Sequence, residues 1–256
     1  MIRKIECVGK NMEKQYEERI DDLQLQGLKI IQNPEWFCYG VDSVLLANFA
    51  SEIRPKSKVI DFGCGNGILE LLLSAKTKAQ KIWGIEIQEE VANLAKRNIE
   101  WNHLEDRAEI LRANVKELDQ YFSQDTFDAV ISNPPYMKAD KGIKNENRQK
   151  RIARHEMEAT LEDFVRMAFF LLKDKKPLYM IYRTERLVDL ITCFRQYKIE
   201  PKEIRMIQSK VGQAPQLFLV KGIKNAGIEL RMKEPLVVYE KNGEYTEEIL
   251  KIYERK

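Results

Sequence analysis

Two histidines and four cysteines in 256 residues leave little material for metal or thiol chemistry. Cys7, Cys38, Cys64 and Cys193 are widely spaced, form no Cys-x-x-Cys pair, and have only His103 and His155 to assist them. That pattern argues against zinc and against disulfide staples, so no metal ligands are expected. Cys64 reads as a small filler between glycines. The N-terminal stretch lacks the apolar block of a signal peptide, and no later run approaches the roughly 18 apolar residues that span a bilayer. A cytoplasmic location is expected. A dominant charge is missing too: 43 Lys and Arg stand against 40 Asp and Glu, a net +3. Internal repeats and low-complexity tracts are absent.

With 44% hydrophobic residues the chain can build a full core, and one α/β domain commonly fills such a length. Strands are expected at 58 to 62, 81 to 86, 107 to 112, 126 to 132, 177 to 182, 202 to 208, 215 to 221 and 228 to 239. Helices are expected at 67 to 76, 88 to 101, 161 to 172 and 184 to 197. This alternation predicts a doubly wound, mostly parallel, Rossmann-like α/β sheet covered on both faces, with the last strands making an antiparallel C-terminal edge. Leu23 to Gln32 is expected to be a strand beside the site. Asp42 is expected to N-cap the helix carrying Val44, Leu45, Leu46 and Phe49. Residues 1 to 11 stand outside the pattern and read as the product of an early start site.

The first strand, Lys58 to Phe62, runs into a loop with Gly63, Gly65, Asn66 and Gly67, and then into an apolar helix. Glycines allow a sharp turn and close approach to a ligand, and the helix start offers unpaired N–H groups. Asp61, just before the turn, would serve a phosphate poorly and a cationic or amino-bearing ligand well. The spacing is G-x-G-x-G rather than the dinucleotide G-x-G-x-x-G, which disfavours a nicotinamide cofactor. The second strand ends in Glu86, at the interval where doubly wound folds place a ribose-binding acid, with Ile87 beside it as a flat apolar surface for adenine. The third ends in Asn114, whose amide can meet an adenine edge. The fourth ends in Asn133-Pro134-Pro135-Tyr136. There, the Asn133 side-chain oxygen and the Pro134 carbonyl can accept both hydrogens of a planar amino group, while Tyr136 stacks on its plane.

These motifs resemble the class I S-adenosylmethionine-dependent methyltransferases that carry Asn-Pro-Pro-Tyr and methylate exocyclic or amide nitrogens. More narrowly, Phe37 to Leu46, Ala153 to Glu156, Glu234 to Tyr239 and Tyr245-Thr246 look like the bacterial tRNA(Val) adenine-N6-methyltransferase family. The resemblance implies an N-terminal extension over residues 1 to 22 and a single methyltransferase domain over 23 to 256. It also implies S-adenosyl-L-methionine as cofactor, with Asp61, Gly63, Gly65 and Gly67 around its methionine part, Glu86 on the ribose and Asn114 at the adenine; Asn66 and Ile87 are expected among the cofactor-binding residues. Gly40 and Asp42 would belong to a segment that lids it. Asn133, Pro134 and Tyr136 are the expected catalytic residues. The family often has Asp where this chain has Asn114.

Between Lys138 and Arg154, seven basic residues stand against Asp140 and Glu146, a formal balance of +5 that exceeds the total for the whole chain. A charge run is usually a solvated loop, but this one leaves directly beside the expected acceptor pocket, where it can neutralise RNA phosphates. RNA, and tRNA first, is the expected partner through loop 138 to 154. Lys173, Lys175, Lys176, Lys210, Lys221 and Lys224 are candidates to extend it. The expected activity is N6-methylation of an RNA adenine next to a tRNA anticodon. Alternatives are a protein glutamine N5-methyltransferase, a ribosomal RNA or DNA adenine methyltransferase, and a non-catalytic cofactor-binding RNA module.

Overall fold

The computed structural model describes residues 18–34, 36, 38–134 and 159–254. A hairpin of β1 (Arg19–Asp22) and β2 (Lys29–Gln32) comes first. Next come α1 (Val41–Phe49), β3 (Lys58–Phe62), α2 (Ile68–Lys76), β4 (Lys81–Glu86), α3 (Glu89–Trp101) and β5 (Ala108–Arg112). A 3-10 turn, Val115–Gln120, leads to β6 (Ala129–Ser132). Beyond it lie α4 (Leu161–Leu171), β7 (Pro177–Arg183), α5 (Leu187–Gln196), β8 (Ile199–Lys210), β9 (Leu217–Lys224), β10 (Arg231–Tyr239) and α6 (Glu247–Ile252).

Strands β3 to β10 make one sheet in the order β10-β8-β9-β7-β6-β3-β4-β5. Strand β3 pairs in parallel with both β4 and β6. The chain therefore leaves β3 toward one edge and returns on its other side, which creates a switch point at the carboxyl end of β3. Strand β9 runs antiparallel to β7 and β8, as the expected C-terminal edge requires, while β10 joins β8 in parallel.

Strand parity divides the core. Val59, Ile131, Tyr179 and Ile181 face the layer built by α1, α2, α3 and α6, whereas Ile60, Phe62, Val130 and Met180 face α4 and α5. Leu45, Leu46, Leu71 and Leu73 are fully buried, each contributing about 1.5–3 kcal/mol by leaving water. Helix α4 starts on a reciprocal capping box, Thr160 with Asp163.

Two local expectations change. Only Lys29–Gln32 of the segment from Leu23 is strand, because Gln24, Gln26 and Gly27 all take positive φ and turn the chain back. Arg19–Asp22, on the extension side of the expected boundary, is the other half of the hairpin. Helix α1 begins at Val41 with Gly40 as its N-cap, so Asp42 lies inside the first turn rather than capping it. A carboxylate there still meets the positive end of the helix dipole.

The hairpin is held by helix α3 through side chains that act as a strand edge. Asn102 accepts from the Lys29 amide at 2.9 Å and donates to its carbonyl at 2.7 Å. One turn earlier, Asn98 does the same for Ile31, at 2.7 and 3.0 Å, and also donates to the Asn66 carbonyl at 2.9 Å. Asn98 is fully buried. Replacing it by Leu strands three backbone groups, each at a cost of about 1–3 kcal/mol, so Asn98→Leu should lose about 3 kcal/mol or more in chemical denaturation. A loss under about 1 kcal/mol would mean that the hairpin is not tied to the fold through this amide.

Candidate functional site

The carboxyl ends of β3, β4, β5 and β6 bring the glycine loop, Glu86, Asn114 and Asn133 to one rim of the sheet. Gly63, Gly65 and Gly67 all take positive φ, which is where glycine is needed. The Gly63 and Cys64 amides both donate to the Ile85 carbonyl at 2.9 Å, anchoring the loop on the neighbouring strand. A Cβ on Gly63 or Gly65 would meet nothing within 4 Å, so the loop presents bare backbone toward open space. A Cβ on Gly67 would instead touch Ala95, 3.4 Å away, because α2 and α3 pack closely there.

Glu86 is buried and held by backbone: its Oε2 accepts from Gly65 at 3.2 Å and its Oε1 from Gln88 at 2.9 Å. The carboxylate is thus fixed at the strand end beside the loop. Ile87, next in sequence, is 40% exposed and gives this rim an apolar face. Asn114 caps the 3-10 turn, its Oδ1 accepting from the Lys116 amide at 3.0 Å. Asn66 is buried, with its Nδ2 3.5 Å from Gln32 Oε1, which also accepts from the Tyr39 amide.

Asn133 is set from two directions. Ser132 Oγ donates to the Phe62 carbonyl at 2.8 Å and locks the end of β6 to the end of β3. Across the rim, Asn133 Nδ2 donates to Asp42 Oδ2 at 3.1 Å. A carboxylate accepts and does not donate, so this contact fixes which end of the amide is nitrogen and turns its oxygen the other way. Asp42 is itself held, its Oδ1 accepting from the Ser43 amide at 2.9 Å. Gly40 provides the clearance, since a Cβ there would come 2.9 Å from Asp42 Oδ1. Gly40 and Asp42 are therefore part of the rim, and Asp42 touches the acceptor-side asparagine. Pro134 follows Asn133 among the described residues; Tyr136 and loop 138 to 154 lie outside them.

Asp61 sits differently from the others. It shares strand parity with Val59, so its side chain enters the layer under α2 and is fully buried against Glu70. Among the described residues no donor of good geometry reaches the four oxygens of this pair. Two facing carboxyls without donors are stable only when they share a proton. Burial, with Glu70 and Glu86 adding, holds Asp61 well above the usual carboxylate range. Burial also pushes Glu70 up to about 8. Glu70, Gln32, Ser132 and Asn98 carry no motif signature; the one hint is polar residues on otherwise apolar helix or strand faces.

Of the lysines expected to extend a basic face, Lys173, Lys176, Lys221 and Lys224 do not reach this rim. Lys173 and Lys176 pair with Asp128 at 3.0 and 3.3 Å, and Lys224 is buried on Asp125 and two backbone carbonyls. Lys221 pairs with Glu52 at 3.1 Å. All four belong to the amino end of the sheet, where β3, β6 and β7 begin, and Lys210 alone of the set with described strand positions ends a strand on the rim side. An apolar groove of about 310 Å³ between Leu187, Ile191, Ile204 and Met232 is on the far edge and has Thr192 as its polar lining side chain.

A family model described as the methyltransferase small domain matches residues 27–168. The chain belongs to that family. Among curated members, a tRNA1(Val) (adenine(37)-N6)-methyltransferase of Haemophilus influenzae is 27% identical over 214 residues, covering 83% of this chain and 88% of that protein. The chain's fold is similar to that of a predicted O-methyltransferase from Agrobacterium tumefaciens, with a TM-score of 0.68, 23% identity, and coverage of 83% and 95%. It is also similar to M. jannaschii TYW2 in complex with AdoMet, with a TM-score of 0.56, 15% identity, and coverage of 84% and 89%. The methyltransferase fold assigned from the motifs is thus the observed one. Among the described residues, no helix is long and apolar enough to cross a membrane and no cluster of candidate metal ligands is found.

The buried pair makes stability pH-dependent in this family member. Acids whose folded pKa is raised bind more protons when folded, so their contribution is greatest at low pH and is lost as pH rises from 4.5 toward about 8. One such proton costs up to about 1.4 kcal/mol for each pH unit in that window. Glu70→Gln removes the shared ionisation. Urea denaturation should find the variant more stable than wild type at about pH 8, with the advantage gone near pH 5. Parallel stability curves would show that the two carboxyls titrate normally.

Proposed function

We propose that this protein is an S-adenosylmethionine-dependent N-methyltransferase acting on the N6 of an adenine in RNA, with a tRNA anticodon loop as the substrate region and the cytoplasm as its location. The observation that carries the reading is the Asn133 amide, oriented by Asp42 so that its oxygen is the end offered to an incoming amino group. The curated relative named for tRNA1(Val) adenine(37)-N6 methylation supports the substrate class, and the TYW2 neighbour in complex with AdoMet supports the donor.

The rim fits that donor. Bare loop backbone at Gly63 and Gly65, the fixed carboxylate of Glu86 and the exposed face of Ile87 suit a ribose and a purine, and the local charge is negative rather than positive. Asn66, Gly67 and Asn114 complete the proposed cleft, with Asp61 acting from below. When bound, S-adenosylmethionine supplies a methyl group on a cationic sulfur. The chain's own task is orientation: Asn133 Oδ1 and the Pro134 carbonyl accept the two amino hydrogens, aiming the nitrogen lone pair toward the donor side. Such positioning is worth about 7–11 kcal/mol when a bimolecular step becomes effectively unimolecular. The same two oxygens stabilise positive charge developing on nitrogen. Tyr136 stacks the base, a contact worth roughly 1–3 kcal/mol, and the basic residues between Lys138 and Arg154 meet phosphates.

Asn133→Ala should lower methyl transfer by about 10²–10³-fold while donor affinity stays near wild type, because only the acceptor contact is lost. Asp42→Asn should lower kcat with little change in donor affinity, since an amide at 42 no longer dictates the orientation of Asn133. Labelled donor, purified protein and total RNA, read by nucleoside mass spectrometry, should yield N6-methyladenosine in tRNA. Label in polypeptide alone would transfer the assignment to a glutamine methyltransferase, and unchanged turnover in Asn133→Ala would remove that residue from the mechanism.

A further inference from the structure

Glu70 occupies a niche built for it. A Cβ on Gly84 of β4 would collide with Glu70 Oε1 and come 2.9 Å from Cys64 Cβ, so the carboxyl is threaded between the neighbouring strand and the glycine loop. Glu70 is fully buried on a helix whose other residues from Ile68 to Leu73 are all apolar, and an apolar side chain at 70 would complete that layer without cost. The chain instead places an acid there, against Asp61, with no outside donor of good geometry among the described residues. The ionisable groups acting on the pair are Glu86 from β4 and each other, and Cys64 in the loop is pushed up by burial first and then by all three. Every one of these groups is anionic when ionised. The loop therefore rests on a charge reservoir separated from the proposed donor site by little more than backbone.

We propose that Glu70 is a positioning residue that sets the preference for charged donor over spent product, through the single proton it shares with Asp61. The inference rests on the donor assignment above. S-adenosylmethionine brings a cationic sulfur, and S-adenosylhomocysteine carries a neutral one on an otherwise equivalent frame. A cation above the loop favours loss of a proton from the pair to solvent, adding one negative charge beneath the loop; the product gives that loss less support. Donor binding is then linked to proton release, and preference for donor over product rises with pH until the pair ionises unaided.

The test is isothermal calorimetry of the full chain with S-adenosylmethionine and with S-adenosylhomocysteine at about pH 6.5 and about pH 8, in buffers of different ionisation enthalpy. For wild type the ratio of product Kd to donor Kd should rise by about three- to tenfold between the two pH values, with up to about one proton released per donor and fewer per product. In Glu70→Gln the ratio should stay flat. Using the ratio cancels any general loosening of the loop, which would shift both constants together, and comparing wild type with Glu70→Gln removes the ligands' own amino groups, which the sulfonium makes unequal. A flat ratio in wild type overturns the proposal whether or not the variant folds, and so does a variant that keeps the wild-type slope. Absence of heat with either ligand at both pH values would instead overturn the donor assignment.

Discussion

The hydrogen bond from Asn133 to Asp42 joins two parts of the chain 91 residues apart and gives the rim its direction. Without it, the amide at the end of β6 could present either nitrogen or oxygen, and the two presentations suit opposite partners. Much of the surrounding structure serves that contact. Ser132 pins the strand end, Gly40 leaves room for the Asp42 carboxylate, and the amides of Gln32 and Asn98 hold the preceding hairpin to the glycine loop and α3. The hairpin and α1 thus form the second wall of the cleft, held by polar contacts that close only when the whole domain is assembled.

Charge at this rim separates the candidate ligands. Phosphate-binding loops use helix N-termini and basic side chains to gather anions, and this glycine loop also precedes a helix. Here, however, Glu86 accepts from the loop's own Gly65 amide, while Asp61 and Glu70 lie beneath it. Carboxyl groups on that side of the loop oppose a pyrophosphate and favour a cation. The G-x-G-x-G spacing points the same way, and the family match agrees with it.

The sequence carried the architecture well because strand parity, helix period and glycine punctuation are local signals. Strands 58 to 62 and 81 to 86 and the helix to Lys76 ended where their residues suggested. The site was legible as a row of strand-terminal Asp, Glu and Asn residues, since in an open α/β sheet strand ends converge on one edge. Position along a strand does not fix which face a side chain takes. Asp61 was expected among the loop's ligand contacts, but it has the parity of Val59 and turns under α2. Asp42 was expected as a cap, and its actual partners depend on β6 arriving from far along the chain. Glu70 and Asn98 were not legible at all, because a polar residue inside an apolar helix has no meaning until its neighbour is known, and those neighbours come from other elements.

Methyl transfer from a sulfonium asks little of proton chemistry, because the sulfur leaves neutral and the acceptor proton can depart after attack. A site for it should therefore be rich in fixed acceptors and poor in bases poised near neutrality, and the rim has that character: Asn133 and Asp42 hold one another, and among the described residues His103 takes no part in the contacts that build it. The raised acids of this region are fully buried below the loop, where on the proposed reading they act on the charge of the ligand and not on its protons. Orientation above the loop and electrostatics below it are then separable functions, carried by β6 with α1 on one side and by α2 with β4 on the other. A substitution in one set should change turnover, and a substitution in the other should change which form of the cofactor is held.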